Sequence, residues 1–245
     1  MLLNSDLAIN ANANIMSVDA EACRNYLFSR NINNHIINKY CLGWLGDNQS
    51  DVDFTLLGRL IVPLHDLYGD VVAFAGRIPT YSDGNKIYSL YNNELISVKG
   101  EYCLKPTWRH QSFFKRNYLY GLKQAYPHII DCNYALIVEG EFDLWACVQA
   151  GLLNTVALLG STMSILQFAK LRRFCDNIFL LLDGDEAGQI GANKIIEAYK
   201  DYGDVQNIKL PDNSDPFDFI SKYGIDPIHK CIENIIVERS NSVPF

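Results

Sequence analysis

Apolar residues run in short unbroken blocks through the second half of the chain, and most blocks stop at a glycine or a carboxylate. YALIVEG (134–140), TVALLGS (155–161), NIFLLLDGD (177–185) and VQNIKLP (205–211) are too short for buried helices and too continuously apolar for strands with one wet face. They predict strands covered on both sides, the signature of a parallel sheet. The segments between them have helical spacing. FDLWACVQAG (142–151) is such a segment, with Gly151 as its stop. SILQFAKLRRF (164–174) places Ile165, Phe168 and Ala169 on one face. EAGQIGANKIIEAYKDYG (186–203) does the same with Ala192, Ile195, Ile196 and Tyr199. Strands alternating with helices predict an α/β sheet covered by helices on both faces.

The first half reads differently. GRLIVPLHDLYGDVVAFAGR (58–77) predicts two strands joined by a turn at DLYGD, bounded by Arg59 and Arg77. His65 falls within this hairpin and is expected to be structural. The opening MLLNSDLAINANANIM has no positive charge ahead of its apolar residues, so it does not read as a secretion signal and is expected to be a short flexible lead-in. No apolar run reaches the length of a membrane span.

Composition is that of an ordinary globular protein, at 49% hydrophobic and 20% charged residues. The seven cysteines are scattered without a C-x-x-C, so zinc is not expected, and each is expected to be a small buried hydrophobe. The net charge of −7 argues against a general nucleic-acid binder, yet it is unevenly placed. Lys99, Lys105, Arg109, Lys115, Arg116 and Lys123 lie within 25 residues that hold the single acid Glu101, whereas residues 131–220 are dominated by acids. Tyr102, Trp108, Phe113, Phe114 and Tyr118 interleave with those bases, as in grooves that hold single-stranded nucleic acid. For Phe113, Tyr118 and Tyr120 a core or hairpin role is the stronger reading; Trp108, among charged and polar neighbours, points to binding, and His110 is left open.

Ligands of such sheets bind beyond the carboxyl ends of the strands. Glu139 ends one strand, and Asp183 and Asp185 end another, with Gly184 expected to turn the backbone sharply between the two aspartates. If these strands are neighbours, three carboxylates meet at one edge. Hard cations such as Mg2+ or Mn2+ would neutralise them and bridge to phosphates, which suggests phosphoryl or nucleotidyl transfer. Asp185 also fits a helix N-cap, Asp143 could cap the helix that follows Glu139, and Asp215 before Pro216 fits plain turn chemistry. Glu141 is expected on the surface.

VEGEFD, LLGSTMS and LLLDGDEAGQ resemble the Toprim domain shared by bacterial-type DNA primases, topoisomerases and some nucleases. The continuation EAG and then LPDNSDPFDFI is most similar to DnaG-type primases. The resemblance extends into the first half, through YL-x-x-R at Tyr26–Arg30, the 58–77 segment and SFFKRNYLYGL (112–122), and it covers residues 21 to 220 in the family's order. It implies a Toprim parallel-sheet domain (131–220) with a smaller mixed α+β N-terminal subdomain (21–130), a lead-in (1–20) and a C-terminal helix or tail (221–245). It implies Glu139, Asp183 and Asp185 as catalytic and metal-binding residues, joined by Asp143 and Asp215. Phe217 stands where the family has a further acid, with Asp218 one place later. Arg59, Arg77, Lys105, Trp108, Arg109 and Lys115 are implied as nucleotide or DNA contacts.

The activity implied is synthesis of short RNA primers on a single-stranded DNA template from ribonucleoside triphosphates, with Mg2+ or Mn2+ and no zinc. The chain resembles a compact viral or mobile-element core without a zinc-binding module, working in the cytoplasm (of the host, if viral), away from membranes. A replicative helicase or a separate zinc-binding, template-recognising protein is the expected partner. A Toprim nuclease and a non-catalytic DNA-binding subunit of a primase–helicase assembly are the competing readings.

Overall fold

The computed structural model describes residues 4–46, 53–211 and 214–240. The chain divides into two compact units, Met1–Phe113 and Phe114–Phe245. The split falls seventeen residues before the expected boundary at 130/131, so the basic stretch around Lys115 belongs to the acidic unit. No described helix is long and apolar enough to cross a membrane.

In the first unit, α1 (Asn4–Asn14), α2 (Glu21–Ser29) and α3 (Asn34–Lys39) precede an antiparallel sheet of β1 (Gly43–Leu45), β2 (Arg59–His65), β3 (Val71–Arg77) and β8 (Trp108–His110), in the order β1-β2-β3-β8. The expected hairpin is β2–β3. Its turn is held by Asp66, whose Oδ1 accepts from the backbone N–H of Tyr68, Gly69 and Asp70, and Gly69 takes φ +102°. A second antiparallel sheet, β4 (Thr80–Asp83), β5 (Lys86–Ser89), β6 (Leu95–Val98) and β7 (Tyr102–Cys103), is inserted between β3 and β8.

Residues 4–14, expected within a flexible lead-in, form a packed helix instead. Leu7, Ala8 and Ala11 of α1 are buried with Leu45, Ile61, Val71 and Phe74. The Asn12 side chain donates to the Leu42 carbonyl at 2.7 Å and that of Asn4 to the Val71 carbonyl at 3.1 Å. A helix made largely of Asn and Ala has weak apolar periodicity, and that concealed it. Ala11 is small because β1 lies against it.

In the second unit, β9 (Tyr134–Val138), β10 (Thr155–Ala157), β11 (Asn177–Leu180) and β12 (Asp204–Asn207) form a wholly parallel sheet in the order β10-β9-β11-β12. The helices are α4 (Leu122–Cys132), α5 (Glu141–Gln149), α6 (Ile165–Leu171), α7 (Glu186–Tyr199), α8 (Pro216–Tyr223) and α9 (Asp226–Ser240). Ala135 to Val138 and Ile178 to Leu182 are essentially inaccessible, as continuous apolar runs require.

The face of α6 differs from expectation. Ile165, Leu166 and Ala169 are exposed, while Gln167, Phe168 and Leu171 are buried. Of the cysteines, Cys23, Cys147 and Cys175 are buried as expected, Cys41 is half-buried, and Cys103, Cys132 and Cys231 are exposed.

A Cβ added at Gly43 would lie 2.4 Å from the backbone carbon of Ala11. Gly43→Ala is therefore expected to lower the unfolding free energy by about 1–3 kcal/mol, the usual cost of overpacking, measured by urea denaturation. A Gly43→Ala protein as stable as the wild type would show that α1 does not rest on β1.

Candidate active site

The sheet order reverses at β9. Its successor β10 lies on one side, and β11 returns on the other. The crevice beyond the strand ends between β9 and β11 is the switch point at which such sheets bind ligands. Glu139 follows β9 directly and Asp183 follows β11 by three residues. Register pairs Leu180 with Ile137, and the backbone N–H of Asp183 reaches Glu139 Oε1 at 3.4 Å. The expected meeting of the two strand ends is thus realised.

Gly184 earns its place by close approach. Its φ is not positive, so it makes no left-handed turn. A Cβ there would meet the Ser214 carbonyl at 3.0 Å and the Leu210 carbonyl at 3.2 Å, and its own N–H donates to Ser214 at 2.9 Å. This contact brings the 214–218 segment to the acids.

Asp185 is the N-cap of α7, with Oδ1 accepting from the Gly188 N–H at 2.8 Å; Asp215 is the N-cap of α8, accepting from Asp218 at 2.6 Å. Capping occupies one oxygen of each. Asp143 lies inside α5, whose N-cap is Gly140, so it is no cap. Its Oδ1 accepts from the Phe217 N–H at 3.4 Å. Phe217, standing where the resemblance expects an acid, therefore contributes a backbone donor, and Asp218 is exposed.

The acids raise one another's proton affinity. Burial, then Asp215 and Asp183, pushes Asp143 up to about 8. Burial, then Glu139, Asp215 and Asp185, pushes Asp183 up to about 6. Glu139 is also raised, chiefly by burial, against the lowering contribution of the Asp183 N–H. Asp183 Oδ1 is buried without a hydrogen-bond partner among the described residues. Clustered hard oxygens, mutual repulsion and an orphaned buried carboxylate oxygen fit a divalent cation. Among the described residues no three His, Cys, Asp or Glu side chains are grouped closely enough to hold a metal ion as they stand.

Other expected contacts fare differently. Arg59 is 3% exposed, and its Nη1 donates to the carbonyls of Gly76, Pro106 and Thr107 at 3.3, 3.3 and 3.0 Å. It ties β2 to β3 and to the approach to β8, and lines a cavity of about 50 Å3 with Glu94 and Lys105. Lys105 is paired with Glu94 at 3.1 Å. Arg77 is held between two rings, 5.6 Å from Tyr26 and 5.1 Å from Trp108, with its Nε donating to the Tyr26 hydroxyl at 2.5 Å. Trp108 also stacks on His110. Arg109 is exposed and Lys115 half-buried. Tyr120 is a core residue whose hydroxyl accepts from Trp145 Nε1 at 3.1 Å.

Glu141, expected on the surface, is 6% exposed in the first turn of α5. Sequence reasoning also missed Gln189, which donates to the Asp183 carbonyl at 3.1 Å and accepts from Asn207 at 2.9 Å, steadying the Asp183 loop from β12. A glutamine on an amphipathic helix carries no signal of that role.

Residues 136–220 match the Toprim-like family model. The DNA primase of Rickettsia prowazekii is 28% identical over 243 residues, covering 86% of this chain and 38% of the relative. The chain thus spans under two fifths of the length of that relative. Among solved structures, the Aquifex aeolicus primase (zinc-binding and RNA polymerase domains) superposes with a TM-score of 0.77 at 22% identity, over 94% of this chain and 59% of the other. A DnaG primase catalytic domain bound to single-stranded DNA gives 0.75 at 23%, over 94% and 76%. Residues 136–220 are a Toprim-like domain, and the chain is a homologue of DnaG-type primases with the fold of their catalytic core.

Carboxyls raised in the fold hold protons that the unfolded chain releases. The stabilising contribution of these carboxyls to the metal-free protein is therefore fully present below the ordinary carboxylate range and is lost as pH rises through about 6 for Asp183 and about 8 for Asp143. Asp143→Asn is expected to flatten the fall in melting temperature between pH 5 and about 8, followed by calorimetry in EDTA. Parallel profiles for variant and wild type would remove Asp143 as the titrating group.

Proposed function

We propose that the chain is a DNA primase catalytic core, joining ribonucleotides on a single-stranded DNA template by nucleotidyl transfer during replication. One observation carries this reading. Similarity to the primases runs through both units, over 86% of the chain, whereas the Toprim-like match alone covers residues 136–220. A nuclease built on that domain would account only for the second unit. The presence of all three acids, Glu139, Asp183 and Asp185, at the strand ends argues against a purely non-catalytic subunit.

In this reaction a 3′-hydroxyl attacks the α-phosphate, a new P–O bond forms, the bond to the β-phosphate breaks and pyrophosphate leaves. Glu139, half-buried and with raised proton affinity, is suited to take the hydroxyl proton at a carboxylate oxygen. Asp183 and Asp185, with Asp143 and Asp215 behind them, would hold Mg2+ or Mn2+, whose charge when bound offsets the acids and the phosphates. Gly184 and Gln189 keep Asp183 in place. In the first unit, Arg77 and Trp108 form a clamped cation and ring, with Arg109 exposed beside them, suited to a nucleotide's phosphates and base. Lys115 is suited to template phosphate. Arg59 and Lys105 are left out of that face, being engaged by carbonyls and by Glu94. The primase would work in the cytoplasm, a viral host's included, with a helicase or a zinc-binding protein selecting the start site.

The test is incubation with single-stranded DNA, Mg2+ or Mn2+ and labelled ribonucleotides. Short labelled oligomers are expected; template degradation without synthesis would support the nuclease instead. Asp183→Ala and Asp185→Ala are each expected to abolish synthesis and to shrink stabilisation by metal while the fold survives, because neither side chain fills the core. Wild-type activity in either variant would end the metal-site assignment.

Arg77→Ala is expected to raise the apparent KM for ribonucleotides with little change in salt dependence. Lys115→Ala is expected to weaken template affinity and lower its salt slope by about 0.7, the value for one phosphate contact on a single strand. Unchanged DNA affinity and nucleotide dependence in both variants would make these charges mere solvated surface.

A further inference from the structure

One stripe of α6 grips the turn that carries Lys115. Ser164, Gln167 and Lys170 are three residues apart and so share a face. Ser164 Oγ donates to the Arg116 carbonyl at 2.5 Å. Gln167 Nε2 donates to the Tyr118 carbonyl at 2.6 Å and to that of Lys115 at 3.4 Å. Lys170 Nζ donates to the Asn117 carbonyl and sits 5.0 Å from the Tyr118 ring. The carbonyls of four consecutive residues, 115–118, are therefore held by a helix some fifty residues on.

The amide of Gln167 is used at both ends. Its Oε1 accepts from the Ser164 N–H at 2.8 Å, completing a capping box that starts α6, while its nitrogen holds the turn. Gln167 is 2% exposed, so these bonds are shielded from water.

The turn carries an aromatic ring and two cations in succession. Phe114 is 80% exposed and Arg116 is exposed, with Lys115 half-buried between them. Neither cation has a carboxylate partner among the described residues. An unburied aromatic ring beside two unpaired cations is the combination that holds single-stranded nucleic acid, by base stacking and phosphate contact.

We propose that Phe114, Lys115 and Arg116 form a contact for single-stranded nucleic acid, and that Ser164, Gln167 and Lys170 are its positioning residues. This rests on the primase reading and adds to it a specific base-stacking residue and the device that orders it. A turn already fixed by four carbonyl contacts loses little backbone freedom when the strand binds, so more of the contact appears as affinity.

The test uses the full chain and a fluorescein-labelled oligo(dT), with anisotropy followed over a range of salt concentrations. Phe114→Ala is expected to weaken binding about fivefold or more with an unchanged salt slope, as loss of a stacked base requires. Gln167→Glu keeps an acceptor for the capping box but removes both amide donors to the turn. It is expected to weaken binding several-fold and to lower the salt slope by about 0.7–1.4, for one or two mispositioned cations, with metal-dependent stabilisation as in the wild type. Gln167→Met, which adds no charge, carries the same expectation should the glutamate prevent folding. Lys170→Arg, which retains a donor, is expected to bind better than Lys170→Met.

Folded Gln167 variants with wild-type affinity and slope, beside weakened Phe114→Ala and Lys115→Ala, would overturn the positioning role and leave the primase reading standing. Wild-type binding by Phe114→Ala, Lys115→Ala and Arg116→Ala together would overturn the contact itself. The synthesis assay with the aspartate variants tests the primase reading separately.

Discussion

The site depends on carboxylates forced together at the ends of two neighbouring parallel strands. Strands in a sheet lie about 4.8 Å apart, so groups that end adjacent strands cannot retreat from each other. Burial, and after it repulsion from Glu139, Asp215 and Asp185, raises Asp183 to about 6, a cost of about 1.4 kcal/mol per pKa unit that solvent screening reduces further. Against it stand Leu136, Ile137, Val138, Leu180, Leu181 and Leu182, all inaccessible, each stabilising by about 1.5–3 kcal/mol. Burial wins by a wide margin. The core can therefore hold the acids in a conflict that only protons or a cation relieve, and the same hydrophobic strands that make the fold tune the site.

This division explains what the sequence disclosed. Parallel strands buried on both faces must be continuously apolar, so β9, β10 and β11 and the acids that follow β9 and β11 could be read directly. The hairpin 58–77 was legible for a related reason, since DLYGD marks its turn in five residues. The chain's similarity to the primases was visible in the order of its motifs. Roles set by long-range contact were not visible. Arg59 looks like a phosphate ligand in one dimension, and only folding brings three carbonyls to its Nη1. Gly184 looks like a turn glycine, whereas the need is for space beneath Ser214. Glu141 follows Glu139 closely in sequence but turns inward on the first turn of α5.

The exposed face of α6 is the clearest case of a competing principle. Periodicity assigned Ile165 and Ala169 to the core, because apolar residues at helical spacing usually face it. The helix instead turns Gln167 inward. A buried amide is tolerated only if its donors and acceptor are met, and here the Ser164 N–H and two carbonyls of the 115–118 turn meet them. The S-x-x-Q capping signature was present in the sequence; its second task was not, because its partners lie some fifty residues away.

Capping and the proposed cation binding would make opposite demands on Asp185 and Asp215, and the geometry is compatible with both. A carboxylate that caps a helix commits one oxygen to a backbone N–H. That bond removes the side chain's freedom to swing away from its neighbours, while leaving the other oxygen available to a cation. The N-termini of α7 and α8 also place partial positive charge beside the acids, which makes their clustering tolerable before any cation arrives. The helices that look merely attached to the acids thus aim them, and a substitution that kept the charge but lost the cap, such as a longer glutamate at either position, would keep the electrostatics and lose the aim.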